Sequence, residues 1–396
     1  MKILLIDVNC KNSSTGKIVY DLYSNIRKDG NSAAICYGRG KKICEENIYK
    51  FGLDWETYLH ALLARITGLN GCFSYFSTKK LIKYIKNFNP DVIHLHELHA
   101  YFVNIRPLIK YIKRKNIKVI WTFHCEYMYT GKCGYAYDCE KWKKECKSCP
   151  AVRDYPKSLF FDWTKYMFQM KQKLLKELDM EIVTPSSWLA DRVYQSFLSI
   201  KKINVINNGI DTSIFFPRDN KITDNELGDL SNYERIVLSV APDIMGERKG
   251  GKWILKLAEM MKNVVFILIG AKETQKVNQD NVRILEKISN QNILAQFYSM
   301  ADVFLICSKR ENFPTTCVEA ICCGTPVVGF DTGGTAETAP NNLGIFVPYG
   351  ELDSLKKAME EMFRKEDIKK ECYQYGKEKY TYNEMYKNYA KLYTKK

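Results

Sequence analysis

Two carboxylates eight positions apart, Glu311 and Glu319, enclose the run Asn312-Phe313-Pro314-Thr315-Thr316. Pro314 suits the first position of a helix, where a missing N–H costs nothing, and Gly324 suits the left-handed position just past a helix end. The sequence therefore predicts a helix over 314–323, with Glu311 in the loop before it and Glu319 inside it. One carboxylate can then face a reacting centre and the other the far end of a bound ligand. Between them, the N–H groups of Thr315, Thr316 and Cys317 fall at the positive end of the helix dipole, without helical partners, which makes an anion site fit for a phosphate. The loop 331–335, Asp-Thr-Gly-Gly-Thr, adds paired glycines that would let backbone approach a phosphate closely.

Other residues could share that work. Arg248 and Lys249 stand beside Gly250-Gly251, two cations placed to hold a diphosphate leaving group. Gly270 ends an apolar strand over 263–270 whose tip would border a nucleobase, and Leu294, in 291–294, is a second base-contact candidate through its backbone. Gly16 closes a Ser-Ser-Thr-Gly loop after the first strand, which is either a ligand loop beyond a strand end or a plain capped turn. His94, His96 and His99 share one strand and the loop after it without metal-site spacing. A neutral histidine at a strand end, there or at His124, can instead hydrogen-bond a sugar hydroxyl. Cys133, Cys139, Cys146 and Cys149 lie within seventeen residues among lysines. They could hold a structural zinc with all four positions filled by protein, or remain four thiols or two disulfides.

The elements that must position these groups alternate, strand-like apolar runs with longer amphipathic segments, which is the pattern of parallel sheets covered by helices. A length of 396 residues suits two domains. The excess of 60 Lys and Arg over 45 Asp and Glu favours an anionic partner. No apolar run is long enough to span a membrane, Asp7 breaks the first apolar run so that it reads as a strand and not a signal peptide, and fourteen cysteines point to a reducing cytosol. Over 55–75, Trp55, Tyr58, Leu59, Leu62, Leu63, Ile66 and Leu69 recur at helical spacing, a stripe for the core or for lipid. The basic helices expected over 78–88 and 106–115 would favour an anionic membrane surface.

The run Glu311-x7-Glu319 with Gly324-Thr-Pro-Val-Val328 after it resembles the donor-site signature of retaining glycosyltransferases of family 4. That resemblance implies an α/β GT-B fold, two Rossmann-like domains facing across a cleft, with a C-terminal helix crossing back to the first. The expected division is an acceptor-side domain 1–213 carrying a Cys-rich excursion 125–150, a linker 214–232, a nucleotide-sugar domain 233–372 and the crossing helix 373–396. It implies Glu311 by the donor sugar, Glu319 on the ribose, Gly16 near the donor phosphates and His124 against the sugar. Relatives often carry Asp after that histidine, where this chain has Cys125-Glu126. Lys249 matches the family lysine. The family arginine's place is taken by Ala241 or Pro242, with Arg248 supplying a guanidinium from a shifted loop. The cysteine run resembles one that marks a polysaccharide-synthesis branch.

The implied activity moves a sugar from a nucleotide-diphosphate donor to a hydroxyl of a glycan or lipid-linked saccharide in cell-surface polysaccharide synthesis. It needs no cofactor beyond the donor and takes place on the inner face of the plasma membrane, without nucleic acid. The rivals are a sugar-nucleotide epimerase or phosphorolytic enzyme on the same fold, and a non-enzymatic basic protein that binds nucleic acid or membrane.

Overall fold

The computed structural model describes residues 1–219, 227–272 and 277–395. The chain divides into two compact units, Met1–Asn207 with Tyr386–Lys396, and Asn208–Met385. In the first, strands β1 (Lys2–Asp7), β2 (Ser32–Tyr37), β3 (Ile48–Lys50), β4 (Val92–Leu95), β5 (Lys118–Thr122), β6 (Met180–Thr184) and β7 (Lys202–Val205) form one sheet in the order 3-2-1-4-5-6-7. In the second, β8 (Arg235–Val240), β9 (Val264–Ile269), β10 (Val282–Leu285), β11 (Val303–Ile306), β12 (Val327–Phe330) and β13 (Gly344–Val347) are ordered 10-9-8-11-12-13. Every pairing is parallel.

Parallel strands covered on both faces need unbroken apolar runs. Val264–Ile269, VVFILI, is buried at every position, and Ile3 to Ile6 are likewise sealed. Each sheet reverses strand order at its centre, between β1 and β4 in one and between β8 and β11 in the other. Ligands of open α/β sheets bind beyond strand ends at such reversals. The Gly16 loop follows β1 and the Arg248–Lys249 loop follows β8. The Glu97–His99 loop follows β4 and the Glu311 loop follows β11.

The unit boundary falls at Asn207 and not at 213. Ile210 joins the second unit by donating its N–H to Tyr380 O at 2.8 Å and accepting from Tyr382 N at 3.0 Å. The expected linker 214–232 is no free tether at its start, since Phe215 lies in the second core and Arg218 donates to Asn292 at 2.8 Å. Its residues 220–226 lie outside the described ones. The return to the first unit begins at Tyr386 and not at 373, because helix α11 (Ile368–Lys379) packs in the second unit against α9 (Thr315–Cys322). In α12 (Tyr382–Thr394), Tyr386 donates to Asp29 at 2.7 Å, Tyr393 and His94 share a bond of 2.8 Å, and Lys118 donates to Leu392 O at 2.6 Å.

Helix α2 (Asp54–Thr67) inverts the usual pattern. Its expected apolar stripe faces largely outward, with Trp55 55% and Tyr58 73% exposed, Leu59 and Leu62 beside them, and Leu63, Ile66 and Leu69 half-buried outside the core. The buried side is polar because it caps a neighbour. Glu56 accepts from Phe76 N at 2.8 Å and Ser77 N at 2.7 Å, the first turn of α3 (Tyr75–Phe88), and His60 bonds Ser74 Oγ at 2.7 Å and Gly71 N at 3.0 Å. The core reading of that stripe is therefore overturned.

Candidate active site

The second sheet brings the charged residues together at its reversal. Glu311, 8% exposed, accepts from Lys249 Nζ at 2.6 Å and Arg248 Nη1 at 3.1 Å through the same oxygen, Oε1. Burial alone would raise its carboxyl, but the two adjacent cations outweigh that and hold it below the usual carboxylate range. The backbone is tied as well. Lys309 N donates to Arg248 O at 2.9 Å, and Gly250, φ +78°, lies so close to Cys307 O that a Cβ would stand 2.1 Å from it. The loop after β8 thus brings Arg248 to Glu311.

The glycine pair after β12 packs on the backbone of Glu311. Gly333, φ +71°, bridges Glu311, Gly334 N donates to Glu311 O at 3.1 Å, and a Cβ on Gly333 would lie 1.9 Å from that oxygen. Helix α9 runs over Thr315–Cys322, one residue shorter at each end than expected. Pro314 takes an extended ψ of 117° and becomes the cap, accepting from Cys317 N at 3.1 Å. Gly324 is left-handed at φ +82°, as its place requires. Cys317 therefore spends its N–H inside the helix, which leaves the anion position to Thr315 and Thr316. Glu319 is buried, and its Oε2 accepts from the sealed Tyr298 hydroxyl at 2.9 Å. Asn312 and Phe313 are buried between the acids, Phe313 with its ring 6.0 Å from Tyr380.

Sequence comparison agrees with this arrangement. A family model described as Glycosyltransferase Family 4 matches residues 15–214, and one described as Glycosyl transferases group 1 matches 232–379. The chain belongs to glycosyltransferase family 4.

A relative of this family 4 glycosyltransferase is the putative colanic acid biosynthesis glycosyl transferase WcaC of Escherichia coli K12, 22% identical over 87% of this chain and 86% of the other. Among solved structures, sucrose-phosphate synthase from Thermosynechococcus elongatus superposes with a TM-score of 0.71 at 15% identity, covering 99% and 98% of the two chains. HepE of Anabaena, in complex with UDP and glucose, gives 0.67 at 16%, covering 99% of each. Those likenesses bear on fold, and the fold is GT-B, two Rossmann-like domains.

Elsewhere in the glycosyltransferase, Gly270 is left-handed at φ +102° and packs against Ala241 O, where a Cβ would approach to 2.1 Å. Leu294 sits inside α8 (Gln291–Met300), and its N–H donates to Asn290 O at 3.0 Å. Gly16 is buried in the first turn of α1 (Ser14–Lys28), donating to the capping Ser13 Oγ at 2.9 Å; any Cβ there would crowd Lys11 N and Asn9 O.

In the first unit His124 is partly buried and its Nε2 lies 3.0 Å from His96 Nδ1. Burial lowers the pKa of both rings. His96 Nε2 is buried with no hydrogen-bond partner among the described residues. His94 cannot meet a sugar, being sealed between Tyr393 and Thr122. Two residues that the sequence did not single out for a site, Asp7 and Glu97, join this cluster. Asp7 accepts from Glu97 N at 3.1 Å and Thr15 Oγ1 at 3.1 Å, and burial, then the charge of Glu97, pushes its carboxyl up to about 7. Glu97 pairs with His99 and accepts from Cys125 Sγ at 3.5 Å, and the three ligating atoms lie within 4.8 Å of one another. A charged residue ending a buried strand was the available signal for Asp7.

Cys133, Cys139, Cys146 and Cys149 line one cavity of about 20 Å³. None of the four is joined in a disulfide.

Proposed function

We propose that this glycosyltransferase transfers a hexosyl group, with retention, from a nucleotide-diphosphate donor to a hydroxyl of a glycan or lipid-linked saccharide. The product would be a cell-surface polysaccharide, built on the cytoplasmic face of the membrane. The observation that carries the reading is the Glu311–Lys249–Arg248 cluster beside the start of α9, at the reversal of the second sheet. In the reaction the bond from the anomeric carbon to the leaving phosphate oxygen breaks and a bond to the acceptor oxygen forms on the same face. The acceptor's proton leaves with the departing diphosphate. Negative charge grows on that diphosphate, so Arg248, Lys249 and the N–H groups of Thr315 and Thr316 gain interaction in the transition state. Glu311 sets those cations in place and offers negative charge to the positive sugar ring. Glu319, fixed by Tyr298, accepts from the ribose hydroxyls.

Two likenesses support the choice of substrate class. HepE is solved with UDP-glucose, which makes uridine diphosphate sugars the first donors to test, and WcaC carries a polysaccharide assignment. In a thermal-shift panel of sugar nucleotides, the true donor at a hundred times its Kd stabilises the chain by about 2.7 kcal/mol. With that donor, Lys249→Ala lowers kcat by about two orders of magnitude, whereas Glu319→Ala acts mainly on donor KM. A kcat unchanged in both Lys249→Ala and Arg248→Ala refutes the diphosphate assignment.

A further inference from the structure

Between β5 and α5 (Thr164–Lys176) the chain runs 41 residues, 123–163, with a single three-residue 3-10 turn, Lys141–Lys143, as regular structure. Loops this long without their own secondary structure need another source of order. Part of it is Trp142, sealed with its Nε1 donating to Cys139 O at 2.8 Å and the Arg192 guanidinium 4.5 Å from its ring centre. The rest of the interior is polar in an unusual way. Lys171 is fully buried, donating to Tyr127 O at 2.6 Å and Thr130 O at 3.0 Å. Lys132, 4% exposed, donates to Ala151 O at 2.7 Å and to Val152 O and Asp154 O, each at 2.8 Å. Neither ammonium forms an ion pair with a carboxylate among the described residues. Lys171 Nζ also lies 3.5 Å from the Tyr127 ring centre, but burying an ammonium against carbonyl dipoles and a ring still costs several kcal/mol unless negative charge is close. Lys132 lines the small cavity with the four cysteines and has Cys133, Cys149, Asp154 and Asp162 near it, and the acidic groups near Lys171 are all thiols, Cys146 and Cys133 of the cavity with Cys125 and Cys72.

We propose that Cys133, Cys139, Cys146 and Cys149 bind one structural Zn²⁺ as thiolates, with Lys132 and Lys171 as the counter-charges. Four thiolates and a divalent ion leave two negative charges, which two buried lysines cancel. Binding replaces four S–H bonds with four zinc–sulfur bonds and releases four protons to solvent, so no oxidant is consumed. The backbone is bent to suit. Ser148, between Cys146 and Cys149, and Tyr137, two residues before Cys139, both hold φ at +45°, a left-handed conformation that residues other than glycine adopt only where their surroundings enforce it. Gly131 N donates to Cys146 Sγ at 3.2 Å, an interaction that supports a thiolate ligand, and Asp162 fixes Cys149 N at 2.7 Å. Cys133 and Cys149 lie close enough to share a hydrogen bond. Among the described residues no three of the four sulfurs lie within 4.8 Å of one another, so the cysteine side chains have to turn toward a common centre on binding.

The test is elemental analysis of the full chain, purified under reducing conditions without a metal-affinity tag and then dialysed against zinc and washed. About one zinc per chain is expected, released by a thiol-modifying reagent and accompanied by a fall in Tm. Cys139→Ser and Cys149→Ser should each lose most of the metal, while Cys44→Ser, at an exposed thiol, keeps it. Should either cluster variant fail to fold, the wild-type stoichiometry still decides. Zinc far below one per chain, disulfides among these cysteines under the same conditions, or metal retained in both cluster variants overturns the proposal. None of these readouts depends on the transfer reaction, so sugar-donor binding stands or falls separately.

Discussion

Glu311 and Asp7 are both buried carboxylates, yet their surroundings push them in opposite directions, and stability should show it. Glu311 is drawn down by Lys249 and Arg248, so it stabilises the fold above its unfolded pKa, near 4.5, and that contribution disappears as pH falls through its lower folded value. Asp7 goes from an ordinary 3.8 to about 7. Its folded form holds the proton more tightly, so its contribution is intact below 3.8 and lost as pH rises toward 7, a swing of roughly 4 kcal/mol. We expect Asp7→Asn to flatten the decline of Tm between pH 5 and pH 8; a variant whose melting profile runs parallel to the wild type would remove Asp7 as its source. At this scale the sequence was informative where charge stood beside glycine, as at Lys249, and silent where a partner arrives from elsewhere. Nothing near Glu319 announces Tyr298, because helical spacing gives a face and not the neighbour that covers it.

Among elements, the loop after β12 decides where the loop after β11 can lie. Gly333 is left-handed and pressed against Glu311 O, whereas Gly30 is also left-handed, at φ +75°, with nothing within 4 Å of where a Cβ would be. The pair separates strain from collision. Gly30→Ala should cost about 1 kcal/mol and leave activity alone. Gly333→Ala should cost more, about 2–4 kcal/mol, because the bridge to Glu311 must open, and kcat should fall as the carboxylate leaves Lys249. Equal losses of stability, measured by urea unfolding, with full activity in both variants would show that Gly333 does not position Glu311. The helix start at Pro314 and its stop at Gly324 could be read from residue type alone, since both are set by local sterics. The partner of the glycine pair could not, because Glu311 and Gly333 meet through a parallel strand crossover.

For the whole molecule, alternating apolar runs gave the two parallel sheets, but the outward stripe of α2 depended on Glu56 and His60 being claimed by a neighbouring helix. What it leaves uncovered is large. Trp55 lies 6.0 Å from Phe76, and Leu59 and Leu62 continue the outward face of α2. At the far end of that helix Leu159 N donates to Arg65 O at 2.7 Å, which sets Phe160, 73% exposed, and Phe161 alongside. Arg106 donates to Tyr166 at 2.6 Å at the margin, and α3 carries Lys79, Lys80, Lys83 and Lys86. No helix among the described residues is long and apolar enough to cross a membrane. Aromatic rings rimmed by cations on a chain of formal charge +15 suit the boundary of an anionic bilayer. Wild-type protein should therefore sediment with vesicles of anionic phospholipid, less so with zwitterionic ones, and salt should weaken only the charged part of the attraction. Trp55→Ser, Tyr58→Ser and Phe160→Ser should each reduce the partition coefficient by about tenfold, the loss of one membrane-buried aromatic at roughly 1.4 kcal/mol, with little change in Tm for Tyr58→Ser and Phe160→Ser, whose rings are mostly in water. Binding that 0.5 M salt abolishes, and that the three substitutions leave unchanged, would mean that the lysines act alone and the aromatic face meets something other than lipid.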